Sequence, residues 1–414
     1  MTDIDRILGV LVFLIVLVRK KVPAGAVLLL GSLLLAVLYL MPAGVLFSAL
    51  ETALVKTPEA VKVALALTAI RGFELVLREK KILQGMMNAS RNFSSGKKAL
   101  IVSMPLLIGT LPSMGGAYFS APMVEEASKG MGLAAERKGF LNYWFRHPWE
   151  YVLPLYPGIV LASAVSGTRL DTLMLFNLPY ALGVAATGYI FGLRGIGGGP
   201  AARESAREGV REQKRQKKQK RPFEGFLSFL PIFSILAMVI IFGMEFQWAI
   251  LAALAGLFVF YKYRPSEVWR VIRLSFSMDV LLLVAGVMIF KQVLVDSGAV
   301  ANLGRSLAVE GIPLMALLSA IPFVAGLLTG HTMAFVGAAF PLLMSLPGGS
   351  GPHAISFAFA CGFLGVLLSP VHICLMLSRE YFKADLWGIY KRTIPAAVVI
   401  FMVAVGEYLI FRPF

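Results

Sequence analysis

Four histidines occur in the 414 residues, and three of them stand where an apolar run is interrupted. His147 lies in Arg146-His147-Pro148-Trp149-Glu150, His331 in LTGHT, and His372 closes LSPVH. Imidazole is the side chain whose ordinary pKa lies nearest neutrality, so a modest change of surroundings sets its charge. A protonated imidazole or a guanidinium such as Arg146 would hold an anion, and loss of the proton would weaken that hold. Glu150 adds the one acid near these groups. Two plainer readings compete. Arg146 could snorkel to a membrane surface, and a lone buried histidine is more often a satisfied core residue. His353, beside GGSGP, reads as an outer loop residue.

Small and hydroxylated residues gather at two further interruptions. Pro105-LLI-Gly109-T-Leu111 runs into LPSMGG and then AYFSAP, ending at Pro122; Pro322-FVA-Gly326-L-Leu328 runs into TGHT and then MAFVGAAFP, ending at Pro341. The two tips supply hydroxyls (Thr110, Ser113, Ser120, Thr329, Thr332) and glycines (Gly115, Gly116, Gly330). Glycine lets backbone N–H groups approach a ligand closely. Half-helix N-termini present free donors and a positive dipole end that suits a carboxylate. The alternative is that small residues merely let helices pack closely.

The elements that would position these groups are membrane helices. Hydrophobic residues make up 58% of the chain and charged residues only 15%, with a mean hydropathy of +0.78. That composition fits a polytopic membrane protein. At about 20 apolar residues per span, the first half predicts spans near 4–18, 22–40, 60–78, 139–168 (broken near Pro154) and 170–193. The second half predicts spans near 225–243, 247–262, 277–294, 353–380 (broken near Pro370) and 393–411. Re-entrant hairpins fall near 99–127 and 312–346, and the segments 45–56 and 265–275 look amphipathic. The first apolar run follows acidic MTDID without a small-residue cleavage site, so it reads as a retained span.

The halves echo each other. Proline offsets are 217 (105 to 322), 219 (122 to 341) and 216 (154 to 370). Breaks inside apolar segments are tolerated in lipid only against protein or a water-filled cavity, and paired breaks in corresponding halves point to a transporter's binding site. The formal net charge of +16 does not signal nucleic acid. Between Arg194 and Arg221 stand ten basic and three acidic residues, and REQKRQKKQKR carries no aromatic residue for base stacking. This linker reads as a cytoplasmic loop; binding of anionic lipid heads is the lesser alternative. Placing it inside puts every other basic cluster inside and both termini outside. Each half then has an odd number of spans, and the repeats are inverted, with one hairpin entering from each side. The organisation is therefore a first repeat (1–193), a linker (194–222) and a second repeat (223–414).

Several residues read as structural. Cys361 and Cys374 lie inside apolar segments, too far apart along a broken helix for a disulfide, and read as small core residues rather than metal ligands or redox groups. Arg71 and Glu74, three apart on one helical face, predict an intramembrane ion pair, with gating as the alternative. Asp279 and Lys291 fall near the ends of the matching span, and Glu125 and Glu126 read as solvated helix-end residues. No HExxH, GxSxG, P-loop or pair of intramembrane aspartates is present, which argues against an intramembrane enzyme or an ATP-driven pump.

On its repeat layout, hairpin placement and two broken helices, the chain resembles the ion transporter superfamily, which includes gluconate, citrate, lactate and dicarboxylate permeases and some sodium/proton antiporters. Within that group it is most similar to the family known as domain of unknown function 401. In the dicarboxylate/sodium symporters each hairpin tip carries a Ser-Asn-Thr triplet; here the tips read LPSMGG and LTGHT. The resemblance implies an elevator-type transporter in a prokaryotic inner membrane, built as a homodimer. It takes a small organic anion with H+ or Na+ as coupling ion, sodium sitting at the hairpin tips if anywhere, and needs no other cofactor or metal. The expected binding residues are Thr110, Ser113, Gly115, Gly116, Arg146, His147, Glu150, Thr329, Gly330, His331, Thr332 and His372. A monovalent cation/proton antiporter is the alternative.

Overall fold

Proline marks many of the helix starts. It stands at the N-cap or first turn of Ala24–Leu38, Ala43–Glu51, Pro58–Glu79, Pro157–Ser166, Leu230–Ile240, Pro265–Ser275, Leu314–Thr329 and Pro352–Leu368. The N–H that proline lacks has no helical partner there, so the residue costs nothing and fixes φ. The computed structural model describes residues 3–20, 22–82, 84–86, 97–112, 116–196, 227–299, 302, 313–344 and 346–411. Among them the secondary structure is helical throughout, with no strand. The basic linker from 197 to 222 lies outside the described residues.

Among the described residues, four helical runs are long and apolar enough to cross a membrane: Leu170–Leu193, Met278–Asp296, Pro352–Phe382 and Leu386–Phe411. Six shorter apolar helices accompany them, among them Ala24–Leu38, Leu230–Ile240 and Phe246–Phe260. Their outward faces are hydrophobic; Phe242, Val259 and Phe260 are each more than 70% exposed, as suits side chains facing hydrocarbon. Pro265–Ser275 is amphipathic, with Val271 buried and Trp269 and Leu274 exposed. Its N-terminus is closed by Glu267, whose Oε2 accepts the Arg264 N–H at 2.7 Å.

At the positions of the two expected hairpins stand packed helix pairs, Lys97–Ile108 with Gly116–Ser128 and Leu314–Thr329 with Thr332–Leu343. Their prolines do not end the arms. Pro105, Pro122, Pro322 and Pro341 all lie inside helices, where packed neighbours absorb the one lost hydrogen bond.

The helix Pro352–Leu368 is buried all round, as an element apolar on every face must be. The first arm of the second hairpin packs against it, backbone on backbone. A Cβ on Gly326 would stand 2.1 Å from the Gly362 carbonyl oxygen, and one on Gly365 2.1 Å from that of Phe323. Only hydrogen fits there.

The broken spans differ from expectation in one respect. The second breaks once, between Leu368 and Ile373. The first breaks twice, after Trp144 and again after Val152, leaving the single turn Trp149–Val152 between the gaps. Arg146 and His147 therefore sit in a turn, not on a helix face. The freed backbone groups find side chains, as lipid requires. Tyr143 and Tyr390 donate to the carbonyls of Leu367 and Leu368 at 2.8 and 2.9 Å. Asn177 Nδ2 donates to the Tyr151 carbonyl at 2.9 Å.

Candidate functional site

The helix ends left by these breaks face one cavity of about 510 Å³. The first break supplies Arg146, Glu150, Tyr156 and Gly158; the second supplies His372, Ile373 and Cys374. The first hairpin tip contributes Pro112, and the second contributes Gly330, His331, Thr332 and Met333. One wall is the helix Pro58–Glu79, which presents Arg71, Glu74 and Arg78. The cavity is thus lined by three arginines against two glutamates.

Side chains fasten the four segments to one another. Tyr156 donates its hydroxyl to the Gly109 carbonyl beside the first tip, and Trp149 Nε1 donates to the Leu106 carbonyl at 2.6 Å. Thr332 Oγ1 donates to Glu150 Oε2 at 3.2 Å, joining the second tip to the first break. His372 Nδ1 faces the Gly330 carbonyl at 2.8 Å, joining the second tip to the second break. Deeper, fully buried Asn142 donates to the Ala117 carbonyl and to Ser378 Oγ, both at 2.9 Å, and accepts from Ser120 at 2.6 Å. One amide therefore ties the first hairpin to both broken spans, which makes Ser120 a structural hydroxyl.

Not every expected residue reaches the cavity. Arg146, Glu150, Gly330, His331, Thr332 and His372 line it. His147 stands behind, with Nε2 3.2 Å from His372 Nε2 and 3.8 Å from Glu150 Oε1. Thr110 is buried and turns its hydroxyl back onto the Leu107 carbonyl at 2.7 Å. Thr329 does the same to Ala325 at 2.7 Å, and borders a separate apolar cavity against the first helix. Gly116 is buried at the start of its helix and is not among the lining residues. Ser113 and Gly115 lie outside the described residues.

Two pairings also differ. Glu74 meets Arg78 at 2.8 Å rather than Arg71, because i,i+4 neighbours share a face as closely as i,i+3. Arg71 is left exposed toward the cavity, with no salt bridge among the described residues. Cys374, expected as a plain core residue, lines the cavity and has its sulfur beside both imidazoles: the ligand atoms of His147, His372 and Cys374 all lie within 4.8 Å of one another. No motif announces this set, because its members come from different halves of the chain. Tyr156 was visible in LPLYPG as the lone hydroxyl of that break.

A second cavity, of about 330 Å³, lies at the other end of Pro58–Glu79 and is lined by Glu59, Lys62, Ala66, Val160, Arg169, Asp171 and Glu245. Its charges are largely spoken for: Lys62 pairs with Glu245 at 2.8 Å and Arg169 with Asp171 at 2.6 Å. The Lys62 ammonium holds the Glu245 carboxyl below its usual range. Both spaces run along the same helix, Ala66 lining this one and Leu67 the larger.

No curated protein matches the chain significantly. A family model described as "Protein of unknown function (DUF401)" matches residues 4–410. The chain, through nearly its whole length, belongs to that family.

Proposed function

We propose that this protein is a secondary active transporter of a small organic anion, carboxylate-like, coupled to protons or sodium. The reading has about ten spans in two inverted repeats, each with a hairpin and a broken helix, and a homodimer working by elevator-type alternating access. The observation that carries it is the cavity in which both hairpin tips and both helix breaks meet beside Arg146 and Arg71. Breaks in membrane helices are costly unless they line such a space, and guanidinium forks match carboxylate geometry. A volume of about 510 Å³ lies within the range of small-molecule sites.

The rival, monovalent cation/proton exchange, draws on Glu150, whose carboxylate at the first break accepts a hydrogen bond from Thr332. A thermal-shift panel separates the two. Purified protein is challenged with carboxylates, sulfonates and phosphonates, with sodium and with potassium, across pH. Stabilisation by one class of anion is the expected result. Stabilisation by sodium alone, with every anion inert, would reject anion binding in favour of cation exchange.

A further inference from the structure

The geometry points to a second binding site at the back of the cavity: a tetrahedral site for a borderline-soft divalent cation of the Zn2+ type, held by His147 Nε2, His372 Nε2 and Cys374 Sγ. It shares His372, Cys374 and Glu150 with the cavity lining but does not depend on what the cavity carries.

Backbone carbonyls fix the tautomers. His147 Nδ1 faces the Tyr143 carbonyl at 2.6 Å, and His372 Nδ1 faces the Gly330 carbonyl at 2.8 Å. A carbonyl oxygen only accepts, so each Nδ1 carries the proton and each Nε2 turns its lone pair inward. The two Nε2 atoms are 3.2 Å apart and fully or almost fully buried. Two lone pairs at that distance repel unless a cation lies between them. Two nitrogens bound to one tetrahedral zinc, each at about 2.0–2.1 Å, stand about 3.3 Å apart. The observed separation fits.

A proton shared between the imidazoles, with the thiol donating to one of them, is the metal-free alternative that the test below separates from a bound ion. Cys374 Sγ lies within 4.8 Å of both ligand nitrogens and shares the cavity lining with Arg146. Imidazole with thiolate is a donor set that selects zinc over magnesium or calcium. Glu150 Oε1, 3.8 Å from His147 Nε2, supplies a fourth donor on the cavity side. The carbonyls on both Nδ1 atoms are the outer partners that orient metal-bound histidines. A bound ion would tie the first helix break to the second.

The test uses tag-free, full-length protein in detergent, stripped with a chelator and titrated with Co2+. Wild type and Cys361→Ser are expected to develop a thiolate-to-cobalt charge-transfer band with intense visible bands, bleached by Zn2+, while Cys374→Ser shows no charge-transfer band. Absence of that band in the wild type, or its survival in Cys374→Ser, overturns the proposal. A second measurement leaves the ligands intact. In Cys361→Ser, where Cys374 is the only thiol, Zn2+ should slow alkylation of Cys374 by N-ethylmaleimide at least tenfold and Mg2+ should not. An unchanged rate in Zn2+ overturns the site and leaves a shared proton between the imidazoles.

Discussion

Replacing Arg146 with alanine is expected to weaken anion binding by about 3 kcal/mol, roughly a hundredfold, the usual size of the loss when one partner of a buried charge pair is removed. Arg146 is 2% exposed and lines the cavity from the turn of the first break. Its backbone packs directly on the first tip: a Cβ on Gly109 would stand 2.2 Å from the Arg146 carbonyl oxygen. Arg146→Lys keeps the charge but gives up the fork that binds a carboxylate in two places, and should recover only a small part of the loss. The measurement is the ligand-induced shift in unfolding temperature, read against each variant's own unliganded value. Equal shifts in wild type and both variants would remove Arg146 from the binding site.

A second large effect is expected from Gly330→Ala. Gly330 has φ +63°, and a Cβ there would lie 3.0 Å from the His372 backbone nitrogen and 3.1 Å from Ser369 Oγ. The left-handed conformation alone costs an alanine about 1–2 kcal/mol, and the contact adds strain at the join between second tip and second break. Gly132→Ala is the control, because Gly132 has φ +61° but its Cβ would meet nothing within 4 Å. The unfolding temperature should fall in both variants and fall further in Gly330→Ala, which alone should lose its response to anion. Identical behaviour of the two would mean that the tip does not depend on contact with His372.

Local signals carried the fold a long way. Helix starts were legible because proline, glycine and hydropathy act within a few residues, and both helix pairs and the break at Pro370 appear where those signals put them. The extra break after Trp144 was hidden because Arg146-His147-Pro148 reads equally as the polar part of one long helix. Glu74 illustrates a different limit: spacing allows Arg71 or Arg78 as its partner, and packing chooses Arg78. Thr110 and Thr329 show that a hydroxyl at a tip need not face the ligand space, since each can bond its own helix. The imidazole pair joins residues 225 positions apart, and Cys374 joins it only through the turn at Pro370. Such convergence is a property of the packed chain and leaves no trace in local spacing.

We propose that the cavity carries an anion across the membrane against its gradient. The direct measurement is uptake of the best-stabilising anion into proteoliposomes under imposed proton and sodium gradients. Accumulation above the external concentration, driven by one of the two gradients and abolished in Arg146→Ala, is the predicted result. Uptake no greater than in protein-free vesicles under either gradient, or flux that only ever runs downhill, would contradict it.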